Sequence, residues 1–149
     1  MVSKVDHNSI KFNQVSITLV SLGAFIGDWP LLAGVLGLIL AVGTARPSWG
    51  LFRFIYQRVA LPLGLLRSHI LDDDPAPHRF AQGTGAAVLI LGYAALLGGA
   101  DAVGWTLVVL VTVLALVNVV FDFCAGCFVY YQLRRVGALR QPNGGASGR

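Results

Sequence analysis

Val103–Phe123 reads VGWTLVVLVTVLALVNVVFDF, and this stretch decides what kind of fold the chain can adopt. It carries no charge until Asp122 and is dominated by Val and Leu. At about 1.5 Å per residue, such a run crosses the roughly 30 Å hydrocarbon core of a bilayer as one helix. Outward from it lie three further apolar stretches, Val15–Gly27, Leu31–Thr44 and Thr84–Leu97. The first two are shorter than the about 20 residues a spanning helix needs, so they must recruit neighbours such as Phe12 to Gln14 and Ala45. Fusing Val15–Thr44 into one helix would bury the Asp28 carboxylate and set Pro30 in a helix interior. Two short spans divided at Asp28-Trp29-Pro30 fit better.

The rest of the composition agrees. Charged residues make up 12% of the chain and hydrophobic residues 56%, whereas a soluble domain carries about 25% charged residues. So few charges cannot cover a water-soluble fold. The net charge of +4 does not point to nucleic acid, because the basic residues are spread beside apolar spans rather than gathered on a polar domain. Their distribution sets an orientation instead. If Asp28-Trp29-Pro30 and Gly98–Ala102 are outer turns, all 11 basic residues fall on the inner side, from Lys4, Lys11 and Arg46 to Arg140 and Arg149. The outer turns keep only Asp28 and Asp101, with Trp29 and Trp105 at the depth where amphipathic rings settle. The expectation is an all-α membrane protein with four transmembrane helices arranged as two hairpins. Both termini would lie in the cytoplasm.

Residues 1–14 contain no small-residue cleavage site and read as a cytoplasmic segment, and residues 134–149 as a basic, disordered tail. Between the hairpins, residues 49–70 alternate bulky apolar residues with Arg53, Gln57, Arg58 and Arg67. That pattern reads as an amphipathic helix in the inner interface, bent by Pro62 and Gly64. Asp72-Asp73-Asp74-Pro75-Ala76-Pro77 reads as a polar loop, since two prolines oppose a continuous helix.

The two halves echo each other. Lys11-Phe12-Asn13-Gln14 precedes the first hairpin and Arg79-Phe80-Ala81-Gln82 the second, an offset of 68 residues. After the hairpins come Phe54-Ile55-Tyr56-Gln57-Arg58 and Val129-Tyr130-Tyr131-Gln132-Leu133-Arg134, about 75 apart, so the second hairpin is a few residues longer. Both halves start on the inner side, which describes a parallel repeat about an axis along the membrane normal.

The most specific chemical feature is Phe121-Asp122-Phe123-Cys124-Ala125-Gly126-Cys127, which holds both cysteines of the chain. On a continuous fourth helix, thiols at i and i+3 share a face and can close a disulfide, and the helix length places them at the inner rim. Such a pair can cycle between dithiol and disulfide, carry sulfane sulfur, or stay inert as small buried residues. Zinc would need two further ligands. His69 and His78 lie nearby in sequence, but their spacing follows no usual zinc pattern, so neither a metal nor another cofactor is expected. Asn118 and Asp122 share a helix face near the thiols, and a carboxylate at such depth is a candidate for proton relay, or for a plain ion pair with a cation such as Arg79. Asn13, Gln14, His78, Arg79 and Gln82 cluster at the entrances of the first and third helices, where unpaired N–H groups and two cations could cradle an anion.

These residues resemble a bacterial integral-membrane family, domain of unknown function 4395. The likeness runs from Asp6-His7-Asn8 and Lys11-Phe12-Asn13-Gln14, through Pro77-His78-Arg79-Phe80-Ala81-Gln82, to Asn118 and the Cys124–Cys127 segment. Genes of that family often neighbour those of thioredoxin-like proteins and rhodanese-type thiosulfate sulfurtransferases. The resemblance therefore implies thiol redox or sulfur handling with a cytoplasmic partner of one of those kinds. Alternatives from the residues alone are a small sulfur-anion transporter and a non-catalytic subunit that recruits a partner. Whether the chain is an enzyme stays open. Its four short helices expose surface enough for self-association.

Overall fold

The computed structural model describes residues 3–64 and 70–137, and the statements below concern those residues. In chain order they form strand β1 (Ser3–Asp6), helices α1 (His7–Ile26) and α2 (Pro30–Ala45), a 3₁₀ turn (Pro47–Trp49), and α3 (Leu51–Ile55), which runs on as a π-helical turn over Tyr56–Ala60. Strand β2 (Ile70–Asp73) and helices α4 (Pro75–Leu97), α5 (Asp101–Phe121) and α6 (Ala125–Arg135) complete the chain.

Three helices, α1, α4 and α5, are long and apolar enough to cross a membrane. The fourth apolar helix, α2, has 16 residues and spans about 24 Å. Large apolar side chains stand exposed along these helices, among them Leu19, Ile26, Leu31, Leu38, Leu91, Val103 and Val120. An outer surface this apolar suits a membrane protein.

Each hairpin packs internally, and the hairpins dock through α2 on α4 and α1 on α5. The core is a thin layer of Ile17, Ala24, Leu36, Leu40, Leu89, Val108 and Val111 with Ala33, Ala86 and Ala115. With no hydrophobic drive between helices in lipid, close backbone approach supplies the packing. Gly34 lies under the Tyr93 ring, where an added Cβ would come within 2.7 Å of it. A Cβ on Gly104 would meet the Gly92 carbonyl at 2.8 Å. One buried polar contact ties α1 to α5, the Thr112 hydroxyl donating to Ser21 Oγ at 2.8 Å.

The internal repeat is legible in the backbone. β1 and β2 pair antiparallel with Lys4 opposite Asp72, two residues separated by the same 68 positions that relate the helix entrances. Asp6 caps α1 by accepting from Asn8 N–H, and Asp74 caps α4 by accepting from Ala76 N–H. At the far end, α1 closes with Asp28 N–H on Phe25 and Trp29 N–H on Ala24. α4 closes with Gly99 N–H on Leu96 and Ala100 N–H on Ala95, the same Schellman pattern. Phe12 stacks near Tyr56, and its counterpart Phe80 near Tyr130. Two hairpins of one design thus start from the same end of the bundle, which agrees with a parallel repeat.

Several boundaries differ from the hydropathy reading. α1 begins at His7 and α4 at Pro75, well before the apolar stretches, because capped polar turns extend both helices outward. Residues 7–14 are therefore helical. Pro75 and Pro77 do not break a helix; they sit in the first turn of α4, where a missing N–H costs nothing. Instead of a continuous interfacial helix over 49–70, the structure has a 3₁₀ turn, a short helix and a π turn, with Tyr56 and Ala60 buried. Arg134 and Arg135 belong to α6 rather than to a tail. The expectations for His69, Arg67 and the final residues 138–149 lie outside the described residues.

Candidate functional site

The fourth span does not carry the cysteines. α5 stops at Phe121, because Asp122 turns into the left-handed region with φ 52°, a conformation that Asp tolerates better than most residues. Phe123 leads out, and Cys124 becomes the N-cap of a new helix, α6. The two cysteines, three residues apart, thus sit at the N-cap and third position of a separate helix rather than on a continuation of α5. Cys124 Sγ accepts from Cys127 N–H at 3.2 Å, and the two sulfurs are joined as a disulfide. A helix N-terminus lowers the energy of a thiolate placed on it, which favours departure of a sulfur held there.

α6 lies along α4. Gly126 makes this approach: a Cβ there would sit 2.8 Å from Ala81 Cα. His78 is three residues before Ala81, on the same face of α4. One of its imidazole nitrogens and the two sulfurs all lie within 4.8 Å of one another. Sequence spacing could not reveal this neighbour, since tertiary docking of α6 creates it.

Asp122, expected deep in a span beside Asn118, is exposed beyond the helix end and ion-paired with Lys11 Nζ at 2.9 Å. The hydrogen bond from Lys11 holds its carboxyl below the usual carboxylate range. Arg79 is not its partner. The guanidinium donates instead to the Thr44 carbonyl at 2.8 Å, in the last turn of α2. Lys11 and Arg79, equivalent in the repeat, each hold the terminus of the second helix of the other hairpin. Gln82 reaches the Leu40 carbonyl of the same α2 end at 3.4 Å.

A cleft of about 550 Å³ opens at this end of the bundle, lined by Asn13, His78, Arg79, Gln82, Asn118 and Asp122 as well as both cysteines. A smaller one of about 110 Å³ behind it takes in Gln14 and shares Gln82, Asn118 and Cys124. Asn13, Gln14, His78, Arg79, Gln82, Asn118, Asp122, Cys124 and Cys127 thus all border one of the two. Residues 5–135 match the family described as a domain of unknown function, DUF4395. The chain belongs to that family. No curated protein and no solved structure matches it.

In this DUF4395 member, two residues missed by sequence reading, Asp6 and Asp74, also line the larger cleft, and a third, Tyr56, is held by the first of them. Asp6 accepts from the Tyr56 hydroxyl at 3.0 Å, which pins the α3 segment to the start of α1. Burial, together with the Asp6 carboxylate, pushes the Tyr56 phenol up to about 12. Asp74 fills the corresponding cap of α4. An acid directly before His7, and one directly before Pro75, were the available signals for both caps.

Proposed function

We propose that this DUF4395 protein exchanges thiols and disulfides at the cytoplasmic face of a bacterial inner membrane. In this reading α1, α2, α4 and α5 all span the bilayer as two hairpins. The end holding Lys11, Arg46, Arg53, Arg79, Arg134 and Arg135 faces inward, as loops rich in Lys and Arg do. The observation that carries the proposal is the disulfide at the N-terminus of α6, open to a cleft at that end.

The chemistry balances with one partner dithiol. A partner thiolate attacks one sulfur of the Cys124–Cys127 bond and forms a mixed disulfide, and the displaced sulfur leaves as a thiolate on the helix N-terminus. The second partner thiol, once deprotonated, attacks the mixed disulfide. The partner leaves oxidised and the Cys124–Cys127 pair is a dithiol. A cytoplasmic thioredoxin-like protein supplies such a dithiol; a rhodanese-type sulfurtransferase, with one active-site thiol, would form the mixed disulfide and need a second thiol to resolve it. In the same reading Asp122 and Lys11 shape the rim of the cleft.

Transport of a sulfur anion is less favoured, because the groups that would cradle it are engaged. Asp6 and Asp74 cap the two helix N-termini, Lys11 pairs with Asp122, and Arg79 holds the α2 carbonyl.

The test is trapping in cells. Cys124→Ser and Cys127→Ser variants should each leave one thiol, and one of them should accumulate a mixed disulfide with a soluble partner. Impermeant thiol reagents applied to intact cells should leave the reduced wild-type pair unlabelled. A pair that resists both reduction and exchange, or that labels only from outside, sinks the proposal.

A further inference from the structure

We propose that the reduced pair, together with His78, forms a binding site for one soft d10 metal cation. Three donors of the right chemistry converge from two helices: two thiols from the start of α6 and an imidazole from α4. They are mutually within 4.8 Å. With metal–sulfur distances of about 2.3 Å and metal–nitrogen distances of about 2.0 Å, donors around one ion stand about 3.5 to 4.0 Å apart. Closing the site therefore takes changes in donor separation of about 1 to 1.5 Å, the imidazole drawing in and the two sulfurs parting once the disulfide is broken.

Two thiolates and an imidazole select soft cations over magnesium or calcium, which take oxygen ligands. Three donors complete a trigonal shell for monovalent copper. Divalent zinc would add a water from the open cleft as its fourth ligand. The close seat of Gly126 on Ala81 is what brings the sulfurs to His78, so it serves the metal site as well as the fold.

The balance is simple. A dithiol reductant delivers two electrons and two protons to the disulfide, and metal binding then releases the two thiol protons. Because only the dithiol form binds, metal stabilises the reduced pair. Oxidation expels the ion. This inference shares with the proposed exchange activity the premise that the pair can be reduced, and goes beyond it in naming a ligand.

The experiment uses the full-length protein in detergent, reduced without oxygen and freed of reductant, with two free thiols verified by alkylation. Zinc(II) and copper(I) are titrated separately against chromophoric chelators. One ion per chain is expected for at least one of the cations. His78→Ala should weaken it by about tenfold or more, since even groups supporting a ligand are worth 10- to 100-fold. His78→Cys, which supplies another soft donor, should restore binding and shows that the loss is not misfolding. Each tenfold rise in free ion should raise the midpoint potential of the pair by about 30 mV. Failure of both cations to bind the verified dithiol, or unchanged affinity in His78→Ala, overturns the site. If exchange with a partner proceeds but no ion binds, only the metal inference falls. If an ion binds but no mixed disulfide ever forms, only the exchange reading falls.

Discussion

Replacing Gly126 by Ala pits two effects of known size against each other. In an unobstructed helix interior the substitution stabilises by about 1 kcal/mol, since glycine loses more backbone freedom on ordering. Gly126 lies in the first turn of α6 with no positive φ to forbid a side chain, so backbone conformation does not oppose the change. Space does. The new Cβ would sit 2.8 Å from the Ala81 Cα, well inside contact distance, and the obstacle is backbone that cannot swing away. Forcing an extra carbon into a packed seam costs about 1 to 3 kcal/mol. The clash therefore wins or at least cancels the gain, and α6 must lift from α4, taking Cys124 and Cys127 away from His78. The control is Gly85→Ala on α4, where a Cβ meets nothing within 4 Å and the propensity gain stands alone. Thermal unfolding in detergent should rank Gly85→Ala above wild type and Gly126→Ala below Gly85→Ala by about 1 to 3 kcal/mol. Gly126→Ala should also speed reaction of the reduced thiols with bulky alkylating agents. If Gly126→Ala matches Gly85→Ala in stability and leaves the thiol reactivity unchanged, α6 is not docked as described.

Asp28→Gly should stabilise the first hairpin by about 0.5 to 1 kcal/mol, because Asp28 holds a left-handed conformation, φ 51°, that its repeat counterpart Gly99 adopts without strain; unfolding midpoints of the two chains decide it. Tyr56→Phe should cost about 1 to 3 kcal/mol, the worth of a hydrogen bond to a carboxylate, as read from denaturant titration. The same bond predicts a pH window. Since the folded phenol is raised from 10.0 to about 12, its contribution is complete below pH 10 and is lost as pH rises through 12, whereas Asp6→Asn should move the ultraviolet tyrosine titration back down. For Asp122 the sign is opposite. Its carboxyl is held below the ordinary 3.8, so the stability difference between wild type and Asp122→Asn should be flat from neutral pH to the ordinary value and vanish only as pH falls through the depressed one. A difference that already fades near pH 6 would disprove the Lys11 pairing.

What could be read in advance follows the physics of the bilayer. The cores of the apolar helices are legible because lipid demands apolar side chains over a fixed length, and Val103–Phe121 satisfies that with no ambiguity. The helix ends were misplaced because hydropathy ignores them. His7–Gln14 and Pro75–Gly83 are polar, and what makes them helical is a cap, Asp6 or Asp74, followed in one case by Pro at the first position. The break at Asp122 was invisible for a related reason: one residue in a left-handed conformation ends a helix without changing hydropathy at all. The candidate residues border clefts at one end of the bundle, a position that the repeat and the apolar spans already imply. Their pairings were not. Arg79 reaching Thr44, and Lys11 reaching Asp122, are contacts between hairpins, set by docking that no local pattern encodes.

The repeat also bears on why the chemistry sits where it does. Two hairpins of one design give two equivalent corners, one where α2 ends beside α4 and one where α5 ends beside α1. In the first, Arg46 to Gly50 turns the chain through Pro47-Ser48-Trp49, and Arg46 stacks over the Trp49 ring at 5.1 Å. In the second, the matching turn runs through Asp122 and Phe123 to the cysteine pair, and α6 follows with its helix N-terminus on the sulfurs. The first corner uses its turn to feed a short segment that pins Tyr56 beneath α1, and carries no thiol. Of the two equivalent corners, one thus closes on the Tyr56 segment and the other carries the cysteine pair. The asymmetry makes a direct demand on any function: Ser in place of Cys124 or Cys127 should leave helix packing and the Tyr56 contact intact, since neither cysteine belongs to the buried core cluster, while removing any sulfur-dependent activity. Loss of the fold along with the thiols would mean that the disulfide is a structural staple after all.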